Sequence, residues 1–189
     1  RLSVEWFGHT LSKAIVEIND LFESYRISEA FMRIYKLFWD EFSGWYLEMV
    51  KPAYQQPADK ATMEATRHYF DMLMRLVHPF MPFVTEEIWQ DLAERKQGES
   101  IMYAPMPVAE EVNEALLARF ALATEAITGI RNVRKQKNIA QKNALTLNVI
   151  EDENYPKEYA PVIAKMCNLE TIEAITEKDP TADAFIVKT

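Results

Sequence analysis

Residues 28–52 read SEAFMRIYKLFWDEFSGWYLEMVKP, and this stretch decides the fold. Phe31, Tyr35, Phe38, Phe42, Trp45 and Met49 recur at alternating steps of four and three, which places them on one stripe of an α-helix. Met32, Trp39, Tyr46 and Val50 form an adjacent stripe, so a helix over 28–50 is expected to be buried on two sides. It stops at Lys51-Pro52, because the residue before a proline is pushed out of the helical region.

The chain on either side continues in helical period. Upstream, Trp6, Leu11, Ile15, Ile18 and Phe22 predict a helix over 3–24, with Ser3 as its candidate cap. Downstream, a loop from Pro52 to Pro57 leads to a third helix over 59–77 carrying Met63, Tyr69, Phe70, Leu73, Leu76 and Val77. Pro79 and Pro82 interrupt the chain before a fourth helix over 83–96, whose first turn holds Glu86 and Glu87, where negative charge suits the helix dipole. Residues 97–112 are a loop punctuated by Gly and Pro, and a fifth helix over 113–137 carries Leu116, Phe120, Ala123, Ile127 and Ile130. After Asn138 the period changes. Residues 144–150 alternate as a strand, 155–166 read as a short helix, and 169–176 and 184–187 read as two more strands. The expected fold class is therefore mainly α. An antiparallel bundle of about five helices spans 1–138, and a small β-α-β-β subdomain spans 139–189.

Composition narrows the chemistry. Of 189 residues, 49% are hydrophobic and 26% charged, which describes a globular chain rather than a disordered one. Gly8, Gly44, Gly98 and Gly129 lie too far apart for either common glycine-rich phosphate loop. Cys167 is the single cysteine, which excludes an internal disulfide and points to a reducing, cytoplasmic compartment. His9, His68 and His78 do not stand at metal-binding spacings, and no convergent acid–base pair can be named, so no catalytic, cofactor or metal residue is assigned. No apolar run reaches the roughly 20 residues of a membrane span, and none is expected to contact a membrane. The chain opens at Arg1 in helical periodicity, the expected mark of a piece of a longer protein.

Four strings carry a resemblance. Phe38 to Glu48 (FWDEFSGWYLE), followed by Lys51-Pro52, resembles the W-x-x-F-x-D-W-Y-x-E-x-x-K helix of valyl-tRNA synthetases. His78 to Gln90 (HPFMPFVTEEIWQ) is similar to that family's H-P-x-x-P-F-[IV]-T-E-E-[IL]-W. Ser100-Ile101-Met102 with Pro105 to Pro107, and Ile130-Arg131-Asn132-Val133-Arg134 ending in Asn138-Ile139, fall in the same order as two further family segments. Gly44 stands where the family usually has Asp, and Gln141-Lys142 replaces a proline-containing stretch. The related isoleucine and leucine enzymes share parts of the second and fourth strings, and the W-Y-x-E-x-x-K string favours valine. The resemblance implies an anticodon-binding helical domain that holds the anticodon arm of tRNA(Val), beside a catalytic domain of the same polypeptide that uses ATP and Mg. Neither catalytic signature string is present; Lys165-Met166-Cys167-Asn168 begins like one but lacks its context. No DNA partner and no cofactor for this chain are implied.

The charge pattern then selects candidate tRNA-binding residues. The net charge of −8 (21 Lys+Arg against 29 Asp+Glu) is unfavourable for a polyanion. Residues 126–150, however, hold Arg131, Arg134, Lys135, Lys137 and Lys142 with no acid, which leaves 16 basic and 29 acidic residues elsewhere, or −13. Arg131, Arg134 and Lys135 at i, i+3 and i+4 share a helical face suited to phosphates, with Lys137 beside them. The plainer reading is a solvated helix end whose cations favour the dipole. A second candidate stripe is Arg33 and Lys36, with Arg26 in the preceding turn; the plainer reading pairs them with Glu29 and Asp40. The aromatic stripe, His78 and Trp89 are read as structural, and Glu48 as a partner for Lys51. A helical interaction domain without RNA contact, and a small helical enzyme, are the competing classes.

Overall fold

The computed structural model describes residues 1–53, 55–150, 155–177, 180 and 182–187. Tyr54, within the loop expected over 52–57, lies outside them. The chain forms two compact units, Arg1–Val112 and Asn113–Thr189. The first contains α1 (Leu2–Glu23), α2 (Ile27–Lys36), a π-helical segment (Leu37–Tyr46), α3 (Leu47–Val50), α4 (Lys60–Val77), α5 (Pro82–Leu92) and a 3₁₀ turn (Ile101–Tyr103). Asp59 caps α4, its Oδ1 accepting from the Thr62 amide at 2.9 Å. Ser3, expected as the cap of α1, is instead buried inside the helix, which begins one residue earlier. No helix of the described residues is long and apolar enough to cross a membrane.

The expected helix over 28–50 exists as the continuous run α2–π–α3; Phe42, Tyr46 and Met49 are buried as expected, but the buried face of its first half is not the one predicted. Ala30, Ile34 and Leu37 are buried at helical steps of four and three; the next buried residues are Phe42, Tyr46 and Met49. The step of five from Leu37 to Phe42 is the register shift that a π turn introduces. The Ser43 hydroxyl donates to the carbonyl of Phe38, five residues back, at 2.9 Å. As a result Tyr35 and Trp39 face solvent, and Phe31, Phe38 and Trp45 are half-buried. The aromatic centre of the unit is Phe7, Phe42, Tyr46 and Tyr69, with ring centroids 4.8 Å apart for Phe7–Tyr46 and 5.2 Å for Phe7–Phe42. Tyr69 crosses from α4 to α1, its hydroxyl donating to the Val4 carbonyl at 2.9 Å. Gly8 makes this crossing possible, since an added Cβ would stand 2.8 Å from that hydroxyl. Burial pushes the Tyr69 phenol up to about 12.

The helix expected over 83–96 ends at Leu92, with Ala93 extended. Arg95 folds back, its guanidinium lying 3.4 Å from the Trp89 ring centroid and its Nε donating to the Trp89 carbonyl at 3.4 Å. The Trp89 indole in turn donates to Asp71 of α4 at 2.7 Å, which fixes the α4–α5 pair.

The second unit holds α6 (Glu114–Gln136), β1 (Leu145–Val149), a 3₁₀ turn (Lys157–Tyr159), α7 (Ala160–Cys167) and β2 (Leu169–Ala174). The strands pair in parallel, Leu145 opposite Leu169 and Val149 opposite Ala174. Phe120, Ala123, Ile127 and Ile130 of α6 are buried in this unit, together with Tyr159, Ile163, Met166 and Cys167. That shared core groups α6 with α7, and the unit boundary falls before α6, whereas the sequence placed it at 138/139. The strand expected over 184–187 does not form. An added Cβ on Gly129 would stand 2.3 Å from the Phe185 ring, and Lys137 pairs with Asp183 at 2.9 Å. These contacts lay the segment along α6 instead of the sheet edge.

Candidate nucleic-acid interface

On the first unit, the outward face of α2 and the π segment carries Met32, Tyr35 and Trp39 at i, i+3 and i+7. Tyr35 is 49% and Trp39 55% exposed, and their ring centroids lie 6.2 Å apart. Lys36 is exposed between them in sequence. Exposed aromatic rings are the kind of surface on which unpaired bases can stack. Sequence reasoning had placed these aromatics in the core; the signal it lacked was the register shift at Leu37. Of the cations it favoured here, Lys36 is exposed, and Arg33 and Arg26 are otherwise occupied. Arg33 is only 18% exposed and is held by Glu17 of α1 and Glu41 of the π segment, the latter at 3.2 Å. Its partners are thus not Glu29 and Asp40. Arg26 makes a two-pronged pair with Glu29, Nε to Oε1 at 2.6 Å, and this bond holds the Glu29 carboxyl below its usual range.

On the second unit, the basic helix end divides. Arg134 is 3% exposed and donates to four carbonyls: Ala140 at 3.1 Å, Asn143 at 2.9 Å, Cys167 at 2.7 Å and Asn168 at 3.2 Å. It occupies the next position of the Phe120–Ala123–Ile127–Ile130 stripe and ties the end of α6 to the end of α7. Its charge therefore sits on carbonyls, which corrects its place in the predicted surface set. Arg131 is exposed and donates to the Met166 carbonyl at 3.4 Å. Lys135 and Lys142 are exposed, and Lys137 is half-engaged with Asp183. Arg131 and Lys135, at i and i+4 of α6, are both exposed on the helix. Beneath them Cys167 is buried, which pushes its thiol up to about 11 and makes it a packing residue rather than a nucleophile.

The other quoted strings have structural work. In the second, Thr85 donates to the Met81 carbonyl at 2.8 Å, so its oxygen accepts from His78 Nδ1 at 2.7 Å. Glu86 reaches the third string, accepting from the Ser100 hydroxyl at 2.6 Å and the Ile101 amide at 3.1 Å, while Gln90 donates to it at 2.6 Å. Those bonds hold the Glu86 carboxyl below its usual range, Gln90 contributing most. At the close of the fourth, Asn138 adopts φ +54° and the Ile139 amide bonds the Arg134 carbonyl at 2.9 Å, a left-handed helix stop. Glu48 and Lys51 pair at 3.8 Å, as expected. Among the described residues, no group of three or more His, Cys, Asp or Glu side chains converges to hold a metal.

A helical fold with an exposed aromatic pair and a cationic helix end has features that suit RNA recognition. The profile of the family described as "Anticodon-binding domain of tRNA ligase" matches residues 4–150, and the chain belongs to that family. Among curated relatives, the valine–tRNA ligase of Parabacteroides distasonis is 53% identical over 188 residues, covering 100% of this chain and 21% of the relative. That of Phocaeicola vulgatus is 52% identical over 189 residues, 100% of this chain and 22% of the relative. That of Fervidobacterium nodosum is 35% identical over 187 residues, 96% of this chain and 21% of the relative. The resemblance read from the four strings is borne out. The chain spans about a fifth of the length of these relatives.

Proposed function

We propose that this domain holds the anticodon arm of tRNA(Val) for a cytoplasmic valine–tRNA ligase. The ATP-dependent aminoacylation and its Mg ions belong to the remainder of that polypeptide. No chemical step is assigned to the residues described here. The observation that carries the reading is the exposed Tyr35–Trp39 pair with Lys36, on the very helix whose string first resembled the family. Anticodon bases are unpaired, so they can stack on these rings, each stack contributing about 1–3 kcal/mol. Arg131 and Lys135 then serve as sequence-independent contacts to the RNA backbone. Lys137 and Arg26, already paired to exposed carboxylates, are secondary cations in the same role. Arg33 positions the π segment rather than meeting RNA.

The test is aminoacylation by the full-length ligase carrying Trp39→Ala or Tyr35→Ala, with tRNA(Val) and an anticodon-substituted tRNA. Efficiency with tRNA(Val) should fall about 5-fold to 150-fold, the equivalent of one lost stack, and the anticodon-substituted tRNA should lose a similar factor, since every base offers a π face. Valine-dependent pyrophosphate exchange should be unaffected. Unchanged efficiency with tRNA(Val) in both variants would instead favour a helical domain that makes no anticodon contact.

A further inference from the structure

The start of α5 and the 3₁₀ turn after it carry apolar side chains that the first unit does not use. Phe83 is 89% and Tyr103 81% exposed, and Met81, Val84 and Met102 are exposed beside them in sequence. These residues form one apron. Phe83, Glu86 and Gln90 lie at i, i+3 and i+7, on one face of α5. Glu86 and Gln90 hold Ser100, Ile101 and the Glu99 carbonyl on that face, the last at 2.7 Å. The 3₁₀ turn with Met102 and Tyr103 therefore continues the face from which Phe83 projects.

The surrounding charge selects the occupant. Glu87, Asp91, Glu94, Glu99 and Glu110 are exposed along this stretch; of its cations, Arg75 and Arg95 are held by Asp71, and Lys96 is exposed. An apolar apron with an acidic surround repels a polyanion, so this surface is not an RNA site. A two-fold dimer through the same patch would set one acidic surround against another. Relatives of which this chain covers 21–22% carry nearly four fifths of their length elsewhere. We infer that the Phe83–Tyr103 apron docks the remainder of the ligase polypeptide, through an apolar surface with a basic rim. This rests on the ligase reading above, and it deepens that reading by naming where the two parts meet.

Native methionines report the result. In the full-length ligase without tRNA, oxidation of individual methionines by dilute peroxide is followed by peptide mass spectrometry. Met81 and Met102 belong to the apron; Met32 and Met63 are comparably exposed away from it. The docked apron should oxidise more than about threefold slower than Met32 and Met63, because sulfoxidation follows access. Phe83→Asp, at a position the domain's own core does not use, should abolish that difference. Rates within threefold of the reference methionines overturn the inference, as does protection that survives Phe83→Asp. Because no RNA is present, this failure is separate from a failure of anticodon recognition, which the Trp39 and Tyr35 variants read.

Discussion

Arg134 illustrates how a single residue can carry a family string without touching the ligand. A buried guanidinium needs acceptors for its charge, and Nη1 and Nη2 of Arg134 donate to four carbonyls, two in residues 140–143 and two at the end of α7. Two of those carbonyls, of Cys167 and Asn168, lie at the C-terminal end of α7, where the dipole favours a cation. A lysine cannot reproduce the planar fork that spans them. Arg134→Lys should therefore lower stability by about 2–4 kcal/mol in urea unfolding, and Lys135→Ala, at an exposed position, by no more than about 0.5 kcal/mol. Equal small effects would remove Arg134 from its structural role. The burial of Arg134 was legible in principle, since the steps 120, 123, 127, 130 continue to 134. The cation itself misled, because charge on a helix is ordinarily read as surface. Tyr35 and Trp39 misled in the opposite sense: aromatic spacing reads as core unless the helix is known to change pitch.

At the scale of elements, helix positions were legible from period and proline punctuation, and α4, α6 and β2 lie close to where the sequence puts them. What the sequence withheld depended on contacts between elements: the π register, the early end of α5 over Trp89, and the absent strand at Phe185. Glu86 is such a link, joining α5 to the 3₁₀ turn. Its ionised form accepts the bonds from Gln90 and Ser100, so its folded value lies below the ordinary 4.5. The stabilisation is thus complete above that ordinary value and is lost as pH falls through the lower folded one. Glu86→Gln should reduce stability modestly at pH 7, as befits a solvent-accessible group, and should flatten the loss between pH 5 and pH 3. Thermal unfolding across that range checks it; an acid limb as steep as the parent's would assign the loss to other carboxylates.

Over the whole molecule, charge is segregated along the chain: +5 within residues 126–150 and −13 outside them. Such a distribution suits a protein that must meet a polyanion at one place and repel it elsewhere, because local cations release counterions while distributed acids oppose non-specific contact. Arg131 and Lys135 stand one helical turn apart, and like charges at that spacing cost a helix a few tenths of a kcal/mol unless an anion lies over them. If both meet tRNA phosphates, replacing both with Ala in the full-length ligase should lower the slope of log affinity against log salt by about 1.4–1.8, at roughly 0.7–0.9 per contact. Affinity should fall by similar factors for cognate and anticodon-substituted tRNA, since phosphate contacts carry no sequence information. Trp39→Ala should also weaken binding of both tRNAs, but with the salt slope unchanged, because a lost stack removes no phosphate contact. A filter-binding titration over several salt concentrations separates the two. A slope unchanged in the double variant would leave Arg131 and Lys135 as the solvated end of α6, favoured there by its dipole alone.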